Sequence, residues 1–194
     1  MFPLNRVRIA ANILGLVLSV VGFCTKANAT DACEASALPQ EIRAKIDKNY
    51  PDWQVEKLEH LGDEDRQLWL KVHPAECPGI AVGHFETKAE LSYAVLLVSK
   101  PDRKRSGFRV VAFSRIDSHS PYVARLVEKW DQGGLYNLGS DQVIATVPPG
   151  HYEEAIGPKN AQIELDGILS ETIGKGAAVY YWKNGRYHEL VTSE

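Results

Sequence analysis

The sequence predicts an α+β fold, a mainly antiparallel β-sheet with one N-terminal amphipathic helix. Apolar residues recur at a helical spacing over residues 38–51. From residue 53 onward, short runs rich in Val, Ile, Leu and aromatic residues are separated by Gly, Pro and charged turns. Near the C-terminus, two such runs flank Asn184-Gly185, a sequence typical of a two-residue hairpin turn.

The predicted helix spans residues 38–51. Pro39 stands in its first turn, where a missing N–H is tolerated, and Pro51 ends it. Apolar residues four apart would form one face that packs on the sheet, namely Leu38, Ile42, Ile46 and Tyr50.

The strands are predicted from runs in which apolar side chains dominate or alternate. They are expected at residues 53–58, 67–72, 80–85, 93–98, 108–113, 143–147, 177–182 and 186–191, within a sheet of roughly six to nine strands. Residues 63–65, Asp-Glu-Asp, are expected to form an acidic turn between two strands. Residues 122–130 fit either a strand or a short helix, and their pattern does not decide between the two.

Residues 1–29 have the three-part pattern of a signal peptide. Arg6 and Arg8 precede an apolar run over residues 9–23, and Ala27-Asn28-Ala29 forms a small-x-small cleavage site. We expect cleavage after Ala29 and a single α+β domain over residues 30–194. The protein is therefore predicted to be periplasmic or secreted.

Residues 1–29 admit two alternatives to cleavage. A transmembrane anchor would need about 20 apolar residues, and this run is shorter and contains Asn12. A lipoprotein modified at Cys24 would need a small residue where Phe23 stands. Both are disfavoured, and no transmembrane segment is expected after cleavage.

Charge and cysteine content restrict the partners and the compartment. Loss of Arg6, Arg8 and Lys26 leaves 19 basic and 25 acidic residues, a formal charge of −6, which argues against a nucleic-acid partner. The two remaining cysteines, Cys33 and Cys77, are expected to form a disulfide in an oxidising compartment. The alternative is a reactive cysteine with a histidine partner, which nothing in the sequence places.

The central stretch, residues 78–98, predicts strand, polar loop and strand. Phe85 and the run from Tyr93 to Leu97 resemble an FG-GAP/VCBS-type repeat segment over residues 84–97, in which an acidic calcium loop leads into such a run. Of the loop's carboxylates only Glu86 remains, and Lys88 stands where the pattern has Asp. The resemblance therefore implies the strand–loop–strand shape without the calcium site, because Ca²⁺ needs several charged oxygen ligands.

Few residues suggest chemistry. The candidates for a binding site are His84 and Glu86 in the central loop, and His151 and Glu153 in a stretch expected to be an exposed loop. No spacing of nucleophile, base or paired carboxylates specifies a catalytic set, and neither a metal nor a cofactor is predicted.

Export, a disulfide, an acidic surface and no recognisable catalytic set favour an exported, non-enzymatic binding or inhibitory module. Its partner would be a protein or an envelope component, as for immunity-type proteins. The alternatives are an envelope hydrolase using a His/Glu site and a structural envelope-associated protein.

Overall fold

A computed structural model describes residues 33–34, 37–101, 106–132, 141–155 and 159–193. The predicted signal peptide, residues 1–29, lies outside the described residues. The helices are α1 (Gln40–Asn49) and α2 (Asp63–Val72), with a 3₁₀ turn at Leu58–His60. The strands are β1 (Trp53–Val55), β2 (Ile80–Gly83), β3 (Ser92–Ser99), β4 (Ser106–Ser114), β5 (Val123–Gln132), β6 (Gln142–Val147), β7 (Gly150–Glu153), β8 (Asn160–Ile163), β9 (Gly167–Thr172), β10 (Gly176–Lys183) and β11 (Arg186–Ser193).

The strands form two antiparallel sheets and a separate hairpin. The first sheet has the order β1-β3-β4-β5, and β2 also pairs with β3. The second sheet has the order β11-β10-β9-β6, and β7 pairs with β8 alone. The predicted α+β class, mainly antiparallel, is therefore confirmed, and residues 122–130, which the sequence left undecided, belong to β5.

β1 and β2 share one edge of β3. β1 lies opposite Leu97 to Ser99, and β2 lies opposite Ser92 to Val95. Between them, Glu56 donates its N–H to the carbonyl oxygen of Leu96 at 3.0 Å, and Leu96 donates to Gly79 at 2.9 Å. Hydrogen bonds therefore run without interruption along this edge of β3, although the chain departs from the sheet between the end of β1 and the start of β2.

The core has several layers. One face of the first sheet packs on α1 through Val95, Leu97, Val111 and Phe113, with Ile42 and Ile46 from the helix. Its other face packs on the second sheet through Ala94, Leu96, Val110 and Ala112, with Ile144, Ile168 and Tyr180 opposite. β3 is therefore buried on both faces, which explains its unbroken apolar run. Two smaller clusters join α2 and the β7–β8 hairpin to the second sheet.

The second helix corrects two sequence expectations. Residues 67–72 are not a strand and residues 63–65 are not a turn between two strands, since both segments belong to α2. Carboxylates in the first turn of a helix are stabilised by its dipole, so the Asp-Glu-Asp sequence favours a helix start. Only Trp69 of α2 is buried, and its indole N–H donates to the carbonyl oxygen of Glu76 at 3.1 Å.

The described residues contain eleven strands, more than the six to nine expected, because β7, β8 and β9 were not recognised. The C-terminal hairpin is confirmed, with Asn184 at φ 52° and Gly185 at φ 79°, as its tight turn requires. The Cys33–Cys77 disulfide is also confirmed, with Cα atoms 4.9 Å apart. Within the described residues, no helix has the length and apolar character to cross a membrane.

Candidate functional site

The central loop, between β2 and β3, has the predicted strand–loop–strand shape, and Phe85 is fully buried in it. Glu86 is not a free ligand. Its side chain is 7% exposed, pairs with the Arg125 guanidinium at 2.7 Å and accepts a hydrogen bond from the Tyr187 hydroxyl at 3.1 Å. Burial and the Glu86 charge raise the pKa of Tyr187, so this hydroxyl remains a donor. Glu86 therefore connects the loop to β5 of the first sheet and β11 of the second.

The remaining predicted candidates lie apart from any such network. His84 donates its backbone N–H to Asp166 at 2.7 Å. His151 and Glu153 belong to strand β7, not to the expected loop; both are exposed, and the imidazole Nε2 lies 3.9 Å from the carboxylate. Within the described residues, no group of three His, Cys, Asp or Glu side chains could hold a metal ion.

The candidate site is a cleft between the two sheets, which the sequence did not predict. Its volume is about 500 Å³. We call it the intersheet cleft. It is lined by Phe108, Glu128, Trp130, Gln142, Ser170, Thr172, Lys175, Gly176, Ala177, Ala178, Val191 and Ser193.

The cleft exists because small side chains stand opposite the polar ones. On the second sheet, Gly176 pairs with Thr172 and Ala178 pairs with Ser170. Because Gly176 has no side chain and Ala178 has only a methyl group, neither fills the space next to Thr172 and Ser170 on the face toward the first sheet. Ser170 and Thr172 are two residues apart on one strand, so both side chains point into that space.

A chain of hydrogen bonds runs through the cleft. Thr172 donates its hydroxyl to the Gln142 amide oxygen at 2.7 Å, and Gln142 donates its amide N–H to the Ser170 hydroxyl at 2.8 Å. Ser170 in turn donates to Glu128 Oε2 at 2.6 Å. Gln142 and Ser170 are each only 4% exposed, so this network is fixed within the sandwich.

A second carboxylate lies beyond Glu128. The buried hydroxyl of Tyr180 donates to Glu189 Oε1 at 3.2 Å, and it also lies within the electrostatic influence of Glu128. Burial raises the pKa of Glu128, and the Glu189 charge raises it further against the opposing effect of the Ser170 hydrogen bond. The pKa of Tyr180 is also raised, chiefly by burial, so Tyr180 keeps its proton.

Aromatic rings form the other wall. Trp130 stacks on Phe108 with ring centroids 6.2 Å apart and an angle of 23° between the planes. Glu128 and Trp130 are two residues apart on β5 and line the same cleft. At the rim, Lys175 forms an ion pair with Asp141, so the positive charge on the lining is already compensated.

Sequence reasoning missed this site because it needs the partner strands. The pattern of residues 122–130 fits both a strand and a helix, and the sequence around Ser170 carries no clear strand pattern, so the direction of neither the Glu128 nor the Ser170 side chain follows from it. The usable signals were the i, i+2 pairs, Glu128 with Trp130 and Ser170 with Thr172, and the small residues that begin β10.

A second buried polar group lies just after β1. The Glu56 carboxyl is fully buried, accepts the Lys57 backbone N–H at 3.2 Å and lies 3.3 Å from His60 Nδ1. Burial raises the pKa of Glu56 to about 8, and burial lowers that of His60. His60 also lines a cavity of about 660 Å³ beside α1, but the Glu56 carboxyl does not reach its surface.

A scan against protein-family models, a search of curated proteins and a search of solved structures each found no match to this chain. Its function is therefore inferred from geometry and chemistry.

Proposed function

We propose that the protein is an exported, non-enzymatic binding module and that the intersheet cleft is its binding site. The observation that carries the proposal is the combination, in one concave site, of a fixed hydrogen-bonded network and an aromatic wall. Specific binding sites combine apolar surface with a few placed polar groups in this way.

Preorganisation supports binding at this site. Gln142, Ser170 and Thr172 hold one another in place through 2.7–2.8 Å hydrogen bonds and lie on paired strands. A ligand that meets such a surface does not have to order these side chains, and this lowers the entropic cost of association. Rearranging such a network is also unfavourable, because leaving a buried polar group without a hydrogen-bond partner costs several kcal/mol of free energy.

The disulfide supports the exported location. Cys33 and Cys77 are bonded, and disulfides persist in the periplasm and outside the cell. A protein partner or an envelope component is the class of ligand that this location makes available, which agrees with an inhibitory or immunity-like role.

The alternative is an envelope hydrolase. One observation favours it, namely that the pKa of Glu128 is raised and a second carboxylate, Glu189, lies across the Tyr180 hydroxyl. A carboxylic acid beside a carboxylate is the arrangement of a general acid and a base. Ser170, however, donates its hydrogen to Glu128 and has no imidazole partner among the described residues, so it is not poised as a nucleophile.

Capture from envelope extract with a cleft-blocked variant tests the proposal. Ala178→Trp would fill the cleft, whereas Ala124→Leu adds apolar volume at an exposed position of β5 outside the cleft. We expect the mature domain and Ala124→Leu to retain the same ligand, identified by mass spectrometry, and Ala178→Trp to lose it. Equal retention by all three proteins would contradict the proposal, and turnover of an extract component by the mature domain would favour the hydrolase.

A further inference from the structure

The three hydroxyl hydrogens of the network in the intersheet cleft are already used. The hydroxyls of Thr172, Ser170 and Tyr180 carry one hydrogen each, and these go to Gln142, Glu128 and Glu189. An ionised carboxylate accepts about four hydrogen bonds, and the described residues supply far fewer to Glu128 and Glu189. A ligand that brings hydrogen-bond donors would therefore find free acceptor positions on these carboxylates.

The charge of the cleft is also unbalanced. Among the described residues, neither Glu128 nor Glu189 forms an ion pair, whereas the lysine on the lining, Lys175, is paired with Asp141. The charges that face Glu128 are Glu189 from β11 and, at the rim, this compensated pair, and Tyr180 from β10 stays neutral. A positive charge next to Glu128 would remove the repulsion between the two carboxylates.

The aromatic wall fits the same ligand. Trp130 is partly exposed and borders the cleft on the same strand face as Glu128. The face of an indole ring attracts a cation, and the attraction increases when water is displaced. A carboxylate and an indole on one concave surface are complementary to an alkylammonium group, whose stem packs on the ring while its charge meets the carboxylate.

Resting on the proposed function, we infer that the intersheet cleft selects a ligand bearing an alkylammonium or guanidinium group, held between the Glu128 carboxylate and the Trp130 ring. Such a group is available from a free amine or from a Lys or Arg side chain of a partner protein. A neutral polyol brings donors without charge, and an anion would meet the Glu128 carboxylate, so both are expected to be rejected.

Calorimetric titration of the mature domain with probes of equal length tests the inference. Cadaverine carries an ammonium at each end, pentanediol is its neutral counterpart, and glutarate is its anionic counterpart. We expect binding of cadaverine alone. A blocked tripeptide with a central Lys separates the two sources of the ligand, because it should bind more tightly than cadaverine if the ligand is a partner's side chain and more weakly if it is a free amine.

The matched variants are Glu128→Gln and Glu153→Gln. The first keeps an acceptor for Ser170 but removes the charge, and the second removes an exposed carboxylate on β7. We expect a tenfold or larger loss of cadaverine affinity in Glu128→Gln, because a hydrogen bond to a charged group is stronger than one to a neutral group, and no change in Glu153→Gln. The inference would be overturned if pentanediol bound with the same affinity as cadaverine, or if cadaverine showed no measurable binding. Equal cadaverine affinity in the two variants would also overturn it.

A measurement on the unmodified domain covers the case in which Glu128→Gln does not fold. Because the pKa of Glu128 is raised above 4.5, cadaverine affinity should fall on acidification with a midpoint above that value. A pH-independent affinity would contradict the inference. If cadaverine fails to bind while Ala178→Trp still loses the native ligand, this inference is wrong and the proposed function stands; if Ala178→Trp retains that ligand, the proposed function itself fails.

Discussion

The buried carboxyl of Glu56 makes the free energy of unfolding depend on pH. It is fully buried at the break between β1 and β2, and burial raises the pKa of its carboxyl from 4.5 to about 8. The native protein therefore binds more protons than the unfolded chain between these two values. By linkage, the contribution of Glu56 to stability is greatest below about pH 4.5 and is lost as the pH rises toward 8.

The magnitude follows from the size of the shift. At 1.36 kcal/mol per pKa unit, a rise from 4.5 to about 8 corresponds to a loss of roughly 5 kcal/mol by pH 8 and about 3 kcal/mol at pH 7. Glu56→Gln has nearly the same shape, keeps an acceptor for the Lys57 N–H and cannot ionise. The variant should match the original protein at about pH 5 and exceed its stability by several kcal/mol at about pH 8.

His60 requires a control because it acts in the opposite direction. Burial lowers its pKa, so the native protein loses this proton first and gains stability as the pH rises through the range near 6.5. Urea unfolding of four proteins, the original, Glu56→Gln, His60→Asn and the double variant, separates the two contributions. Parallel stability curves for the original and Glu56→Gln between about pH 5 and 8 would refute the reasoning.

Three further predictions concern the core, the loop and the N-terminus. Phe85→Ala should lower the free energy of unfolding by roughly 3–5 kcal/mol, since its ring is fully buried, and a near-neutral result in urea unfolding would contradict this. Millimolar calcium should leave the melting temperature unchanged, because Glu86 is already paired with Arg125; a rise of several degrees that Glu86→Gln abolishes would restore the loop as a calcium site. Intact-mass analysis of exported protein should place the N-terminus at Thr30, and retention of residues 1–29 would contradict cleavage.

Short sequence patterns correctly predicted the elements whose conformation depends on neighbouring residues, such as α1 and the turn of the last hairpin. Ile42 and Ile46 indicated the buried face of α1, and Asn184-Gly185 determined the turn of the last hairpin. The acidic residues that begin α2 also carried a local signal, since they favour a helix start. Alternation of apolar side chains from Leu68 to Val72 instead favours a strand, yet these two residues are 52% and 70% exposed on the helix.

The candidate site could not be predicted because it depends on pairing between distant strands. Ser170 contacts Glu128 across 42 positions of sequence, and the two residues lie in different sheets. A local sequence pattern therefore cannot include both residues, and neither residue alone indicates a binding site. Glu86 shows the converse: the sequence offered it as a candidate ligand, but Arg125 and Tyr187, both distant in sequence, already engage its carboxylate.

The most direct test of the central claim is chemical-shift mapping of the isotope-labelled mature domain during titration with cadaverine. If the intersheet cleft is the binding site, the largest shifts will occur at the backbone amides of Glu128, Trp130, Ser170 and Ala178 and at the Trp130 indole N–H, and Ala178→Trp will abolish them. Shifts concentrated instead around His60, at the cavity beside α1, would contradict the account.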